Sequence, residues 1–372
     1  MEVRRLVLGL AAHGLPSAGL DLPERPLPDD EWKRLRNEVR HQRLTGQATA
    51  AADQGALALT PEQREDLERE HVAALAQVLR LERALLRVHE VLADAAVPFV
   101  VLKGSAVGHL DYADPGARAF GDNDILLATD RYAEGMTALL DQGWVRPAAE
   151  IGPGFDVRFG KGATLIGADQ AELDVHRTLA MGPYGLLVRL DELWDRPARF
   201  ALGGRELLAL GTEQRYLHAC FHAVIGNSSR RVVPHRDVAE MLLYGEHDPA
   251  RLRELAAHWS AEVVLARAIT DTWALLGITE SGPLVDWAHE RVPTRRDQRL
   301  SGVYGPGSSY AAKALAGVTV LPRWRDRLDY VRLLALPGDQ SLAFRGRSRV
   351  GWLVRGGRRL VQHRRRSRVP GG

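Results

Sequence analysis

Two short stretches carry residue types at spacings that could do chemistry. In "FGDNDILL", Asp122 and Asp124 stand two apart at the head of an apolar run. In a strand that spacing turns both carboxylates to one face and Asn123 to the other. Acids are depleted in strands and costly to bury, and like charges this close stay ionised only beside a cation. Mg²⁺, or Mn²⁺ in its place, suits such a pair because it takes few protein ligands and retains water. A third carboxylate on a neighbouring strand would complete a two-metal site, its ions about 3.5–4 Å apart around an in-line phosphoryl displacement. The later stretch "ELDVH" offers one: Glu172, Asp174 and His176 share a strand face. Asp174 is the expected ligand and Glu172 its rival. His176 could orient Asp174 or touch a phosphate, or equally pack as a strand-end histidine.

Upstream lies "VVLKGS". Gly104 and Ser105 follow an apolar run directly, where backbone N–H groups at a helix start can hold phosphate. Lys103 could reach the same phosphate as a point charge. It is one of only four lysines (Lys33, Lys103, Lys161, Lys313) against 46 arginines, so its placement carries more information than that of any arginine. Arg118, in the loop before the acidic pair, is a further phosphate candidate.

The order strand, Gly-Ser, helix, acid-x-acid and a later third acid resembles the DNA polymerase β-like nucleotidyltransferase superfamily. Two features depart from its pattern. Asn123 stands where an apolar residue is usual, and residues 106–121 make a long gap between Ser105 and Asp122. A narrower resemblance accommodates the gap. Leu102-Lys103-Gly104, Tyr112, Arg118, Asp122/Asp124, "GW" at 143–144 and Asp174/His176 are similar to the bacterial uncharacterised nucleotidyltransferase family, as are "LHACFHAV" and "HRDVAEML" further on. The likeness spans about 30–335. It implies a nucleotidyltransferase fold and transfer of a nucleoside monophosphate from an NTP such as ATP to an acceptor hydroxyl. Asp122, Asp124 and Asp174 would be the catalytic metal ligands. Lys103, Gly104, Ser105, Arg118 and His176 would face the nucleotide.

The elements that must position these residues read as α+β: a small mixed sheet flanked by helices. A helical N-terminal region is expected over 1–96, the nucleotidyltransferase core over 97–205, a helical C-terminal domain over 206–342 and a basic tail over 343–372. Thr60-Pro61-Glu62-Gln63 is a helix start, with a threonine cap, proline at the first position and glutamine three on. Leu75, Val78, Leu81, Leu85, Val88 and Leu92 mark one buried face of that helix, which should stop before Pro98. "PFVVL" (98–102) and "DNDILL" (122–127) are expected strands. Ser105 should cap a helix through Tyr112, and Asp130 another to about Gln142. "FDVRF", "ATLIG" and "AELDVH" are expected as short strands. From about Thr212 the pattern is helical.

Apolar content of 45% and charged content of 26% describe an ordinary globular protein. No apolar run reaches the roughly 18 residues of a membrane span. The single cysteine, Cys220, cannot form an internal disulfide, which points to a reducing cytoplasm. The arginine excess reads as the coding bias of a GC-rich bacterial genome. Ten arginines and no acid lie beyond Ala343. Removing them from the formal net charge of +3 leaves about −7 for the body. Such a tail could contact RNA, an anionic membrane or an acidic partner.

Other chemistry fits less well. His218 and His222 have the spacing of paired metal ligands but no third partner in sequence, so helix packing or an interdomain contact is expected of them. "HRD" at 235–237 matches a kinase loop, yet Leu242 replaces the required asparagine. Two alternatives to the transferase remain in view: a metal-dependent glycosyltransferase using Asp-x-Asp, and a non-catalytic member of the fold that binds nucleotide or a partner. The acceptor, whether small molecule, peptide or RNA, is not written in the sequence.

Overall fold

The computed structural model describes residues 3–336 apart from 17, 228, 306 and 307, together with 338 and 341. The arginine-rich tail, with every expectation placed on it, lies outside the described residues. Among those described, no helix is long and apolar enough to cross a membrane.

Four helices come first: α1 (Val3–Ala12), α2 (Asp29–Gln42), α3 (Thr45–Asp53) and the long α4 (Pro61–Asp94). Thr60 starts α4 as its side chain implies, accepting from the Gln63 N–H while Gln63 returns to the Thr60 N–H. Six strands and four short helices follow: β1 (Phe99–Val101), α5 (Ser105–Asp111), β2 (Asn123–Leu127), α6 (Tyr132–Asp141), α7 (Phe155–Arg158), β3 (Gly162–Ile166), β4 (Glu172–His176), α8 (Pro183–Leu187), β5 (Ala198–Leu202) and β6 (Arg205–Ala209). Helix α9 (Thr212–Phe221) runs into a π turn (His222–Gly226). Beyond it lie α10 (Val233–Tyr244), α11 (Pro249–His258), α12 (Glu262–Leu276), α13 (Pro283–Glu290), α14 (Arg295–Gly302), α15 (Tyr310–Val320) and α16 (Trp324–Ala335).

The strands form one mixed sheet in the order β3-β4-β2-β1-β6-β5. β2 is antiparallel to β1 and parallel to β4. Alternate residues of β1 and β2 serve two cores. Val101, Ile125 and Leu127 pack with α4 and α6, against Leu81, Leu85 and Leu139. Val100, Leu102 and Leu126 face the other way, into a larger core shared by α1–α3 and α9–α13. The fold is α+β, as the pattern implies, and the acidic pair lies on the side of this larger core.

Three local expectations change. "FDVRF" is not a strand: Phe155 and Phe159, four apart, both pack on Tyr330, which is helical spacing. Ser105 does not cap α5. Gly104 occupies the cap position at φ 61°, and Ser105 is the first helical residue. Arg131, not Asp130, precedes α6, without a side-chain cap. The β5–β6 hairpin is an addition to the sequence reading. Gly203 and Gly204, both at positive φ, make its two-residue turn, and Phe200, Leu202, Leu207 and Ala209 alternate inward.

Asn123, the departure from the superfamily pattern, has a structural use. Its buried amide donates to the Leu81 carbonyl of α4 at 2.8 Å, tying the start of β2 to the long helix. Asn123→Ala should lower stability by about 1–2 kcal/mol, read as a shifted urea midpoint at unchanged slope. It should leave divalent-cation binding as it was.

Candidate functional site

Strand pairing brings the chemistry together. Asp124 and Asp174 are direct partners across β2 and β4, and His176 stands opposite Leu126. The ligand atoms of Asp124, Asp174 and His176 all lie within 4.8 Å of one another. His176 Nε2–H donates to Asp124 Oδ1 at 2.9 Å, and Thr164 Oγ1 donates to Asp174 Oδ1 at 2.5 Å. Glu172, the rival third carboxylate, is exposed and outside this group. Asp122, half-buried just before β2, also lies outside this group.

Lys103 links the two halves of the acidic pair. Its Nζ lies 2.7 Å from Asp124 Oδ2 and 3.4 Å from Asp122 Oδ2. The cation required by two neighbouring carboxylates is thus an ammonium of the chain itself. The Asp124 contact is off the hydrogen-bond direction, so Oδ2 accepts no aligned hydrogen bond. Gly104 makes Lys103's position possible: at φ 61°, ψ −118° it turns in a way closed to L side chains, and a Cβ there would meet the Phe120 ring at 3.2 Å. Beside it the Ser105 Oγ is buried without a hydrogen-bond partner.

Burial alone would push the Asp124 carboxyl up, but Lys103, the His176 hydrogen bond and Lys161 together hold it well below the usual carboxylate range. Lys103 stays protonated for the reciprocal reason: Asp124 and Asp122 outweigh its burial. Lys161 moves down, because burial and Lys103 outweigh the pull of the carboxylates. His176 is lowered by burial and by Lys161, which keeps it neutral.

A family model described as uncharacterised nucleotidyltransferase matches residues 28–276, about two thirds of the chain. The chain belongs to the uncharacterised nucleotidyltransferase family. Among solved structures it is similar to the crystal structure of an antigenic nucleotidyltransferase-like protein from Paracoccidioides brasiliensis, at 15% identity and a TM-score of 0.34, covering 54% of this chain and 94% of that one. No curated protein matches it.

In this nucleotidyltransferase family member Arg118 is not free for phosphate. It is buried and forked onto Asp237 of α10, with Nε and Nη2 each 2.7 Å from a carboxylate oxygen. Its Nη1 donates to the Gly104 carbonyl at 3.1 Å, and the Tyr112 hydroxyl donates to the same Asp237 at 2.9 Å. Arg118 and Tyr112 therefore fix the Lys103-Gly104 turn to the helical half. Cations left facing the acids are Arg43, whose Nη1 lies 3.7 Å from Asp122, and Arg231; both line a cavity of about 90 Å³ with Lys103, Asp122 and Asp124.

His218 and His222 reach the site from α9 and the π turn. His218 Nδ1–H donates to the Leu102 carbonyl at 3.3 Å, and His222 lines the small cavity. They make the contact expected between sheet and helices, at the site itself. Lys161, Arg43 and Arg231 escaped the sequence reading. The rarity of lysine would have flagged Lys161; nothing distinguishes the two arginines among 46.

Two outcomes follow from these pairs. Arg118→Ala leaves the Asp237 charge buried and unpaired and should cost about 3–5 kcal/mol, whereas Arg118→Met with Asp237→Leu should cost much less; denaturant titrations compare the two. Burial pulls His218 down to about 3. Between pH 6.5 and pH 3 the unfolded chain therefore binds a proton that the folded chain refuses. Stability falls with pH across that window, at up to about 1.4 kcal/mol per pH unit for this histidine. His218→Gln should flatten the slope in denaturant titrations between pH 7 and pH 5; an unchanged slope would refute the assignment.

Proposed function

We propose that the protein transfers a nucleoside monophosphate from an NTP to an acceptor hydroxyl and releases pyrophosphate. The observation that carries this reading is the convergence of Asp124, Asp174 and His176 from paired strands; the buried, unpartnered Ser105 hydroxyl follows Gly104, which lines the small cavity.

The residues fit a divalent cation. Asp124 Oδ2 is buried without an aligned hydrogen bond, and two carboxylates with one imidazole suit Mn²⁺ or Mg²⁺. Asp124, Asp174 and His176 would hold it, His176 through Nε2 with its proton shifted to Nδ1 beside the Thr178 carbonyl, and Asp122 would join once Lys103 moves off the pair. Bound there, the cation would polarise phosphate oxygens and lower the pKa of the acceptor hydroxyl. The chain's own groups do the rest. Lys103 moves from the carboxylates to the β and γ phosphates, supported by Arg43 and Arg231 in the same cavity. Ser105 Oγ–H donates to a phosphate oxygen. Arg118 acts as a positioning residue through the Gly104 carbonyl. The acceptor oxygen bonds to the α-phosphorus as the bond to the bridging oxygen breaks. Pyrophosphate leaves with the electron pair, and the hydroxyl proton passes to Asp174. Alignment and preset charge supply most of the rate.

A second reading has one observation in its favour. Lys103 already neutralises the acidic pair, as in a member of the fold that binds nucleotide without metal and does no chemistry. Label transfer separates the two. With α-labelled NTP and a divalent cation, label should pass to an acceptor and pyrophosphate should appear, while γ-labelled NTP transfers nothing. Asp124→Asn or Asp174→Asn should each cut transfer by about 10²–10³-fold. Lys103→Met should slow transfer yet tighten Mn²⁺ binding, measured by calorimetry. Nucleotide binding that needs no divalent cation, with no label moved, would establish the second reading instead.

A further inference from the structure

A second cavity, about 940 Å³, lies against the first, and Asn227 and Arg231 line both. The wall between them is the π turn and the loop after it. His222 faces the small cavity, while Ala223, Val224 and Ile225 line the large one. π turns break helical register and gather at functional sites. Asn227 fixes the loop: its Nδ2 donates to the Arg231 carbonyl at 2.6 Å, and its Oδ1 accepts from the Arg231 N–H at 2.9 Å.

The large cavity is unevenly charged. Arg4, Arg230, Arg231 and Lys313 line it, and among the described residues none has a carboxylate within 4.0 Å. Arg267 alone of its cations has one, Asp271, at 3.6 Å. The acid across the cavity, Glu38, accepts from Gln42 at 2.7 Å. Arg231 Nε is buried with no partner, and the Lys313 ammonium sits 5.1 Å above the Tyr304 ring. A volume of this order falls within the roughly 300–1,000 Å³ of small-molecule pockets. The base and ribose of an NTP carry no charge that Arg4, Arg230 and Lys313 would balance, and the triphosphate has its own place beside Lys103 and Arg231.

We infer that the large cavity receives the acceptor, and that the acceptor is a small hydroxyl compound bearing phosphate or carboxylate groups. The inference rests on the nucleotidyl-transfer reading, because it takes the small cavity for the triphosphate. The bound acid group would pair with Arg4 and Lys313, while the hydroxyl points past Asn227 into the small cavity that Asp124 lines. Bond making and breaking are those already given.

Calorimetry on the full chain tests it, with Mn²⁺ and α,β-methylene-ATP saturating. The probes are matched sets: glucose, glucose 6-phosphate and gluconate, and glycerol with glycerol 3-phosphate. At least one anionic probe should bind ten-fold or more tighter than its neutral twin, and the phosphate and carboxylate arms tell which acid group is preferred. Arg4→Ala with Lys313→Ala should weaken that binding at least ten-fold and leave analogue binding unchanged. Arg4→Gln, at an exposed position, repeats the test should the double variant fail to fold. Equal binding of anionic and neutral probes, or of none, overturns the inference, as does wild-type affinity in the variants. Displacement of the anion by the analogue would assign the cavity to the nucleotide. Failure of the analogue itself to bind, with anions still held, would overturn the transferase reading and the acceptor role while leaving an anion pocket.

Discussion

A carboxylate kept ionised inside the protein governs the arrangement around it. Asp124 is 1% exposed, and a lone charge so placed would cost several kcal/mol. Three groups offset that cost, two from the strands paired with β2 and one from beyond β4. Lys103 arrives from the end of β1, His176 from β4, and Lys161 from the residue before β3. The strand order β3-β4-β2-β1 is the arrangement that surrounds one point of β2 with these donors. Sheet topology and site electrostatics are the same constraint seen at two scales.

Around that centre a frame of buried arginines joins the parts of the chain. Arg118 binds Asp237 across the sheet and α10. Arg215 of α9 forks onto Asp111 at the end of α5, at 2.7 and 2.8 Å, and donates to the Leu210 carbonyl. Arg236 pairs with Glu240 and reaches the carbonyls of Ala11 and His13 behind α1. The planar guanidinium fork meets a carboxylate and a carbonyl together, which an ammonium cannot do with the same rigidity. The Arg118 and Arg215 pairs hold the helical half against the strand ends, and Arg236 ties α10 to α1 behind it, so that together they fix the wall that His218 and His222 present to the acidic pair.

What was legible in the sequence follows from this division. Period-two alternation placed Asp122 and Asp124 on one side of β2 and Asn123 on the other, and the spacing of "ELDVH" put Glu172, Asp174 and His176 on one strand face, while only the β2–β4 register set Asp174 opposite Asp124. The Thr60 start and the buried stripe of α4 were equally plain, because local hydrogen bonding and periodicity decide them. Long-range pairing was not legible. Arg118 reads as a loop arginine near acids, and only the fold shows Asp237, 119 residues away, claiming it. The hairpin at Gly203-Gly204 was legible in principle, since two glycines between alternating apolar residues carry the turn signal. "FDVRF" misled because its two phenylalanines obey a contact with Tyr330 from α16, which the segment itself does not contain.

The ammonium of Lys103 also bears on how readily the site could exchange its cation. A buried ion pair gains little over its desolvation cost, so giving one up is not expensive provided another charge replaces it at once. Asp124 Oδ2 has no aligned hydrogen bond to surrender, only the electrostatic contact. Gly104 and Arg118 hold the backbone of the turn rather than the lysine side chain, so the side chain can leave without unmaking its support. If the proposed transfer holds, a divalent cation brought in with a triphosphate would supply both the replacement charge for the acids and a new anion for the lysine. A cation arriving alone supplies only the first. On the proposed reading, filling the site with metal and nucleotide together would therefore be favoured over filling it with metal first, by the energy of one unpaired buried ammonium.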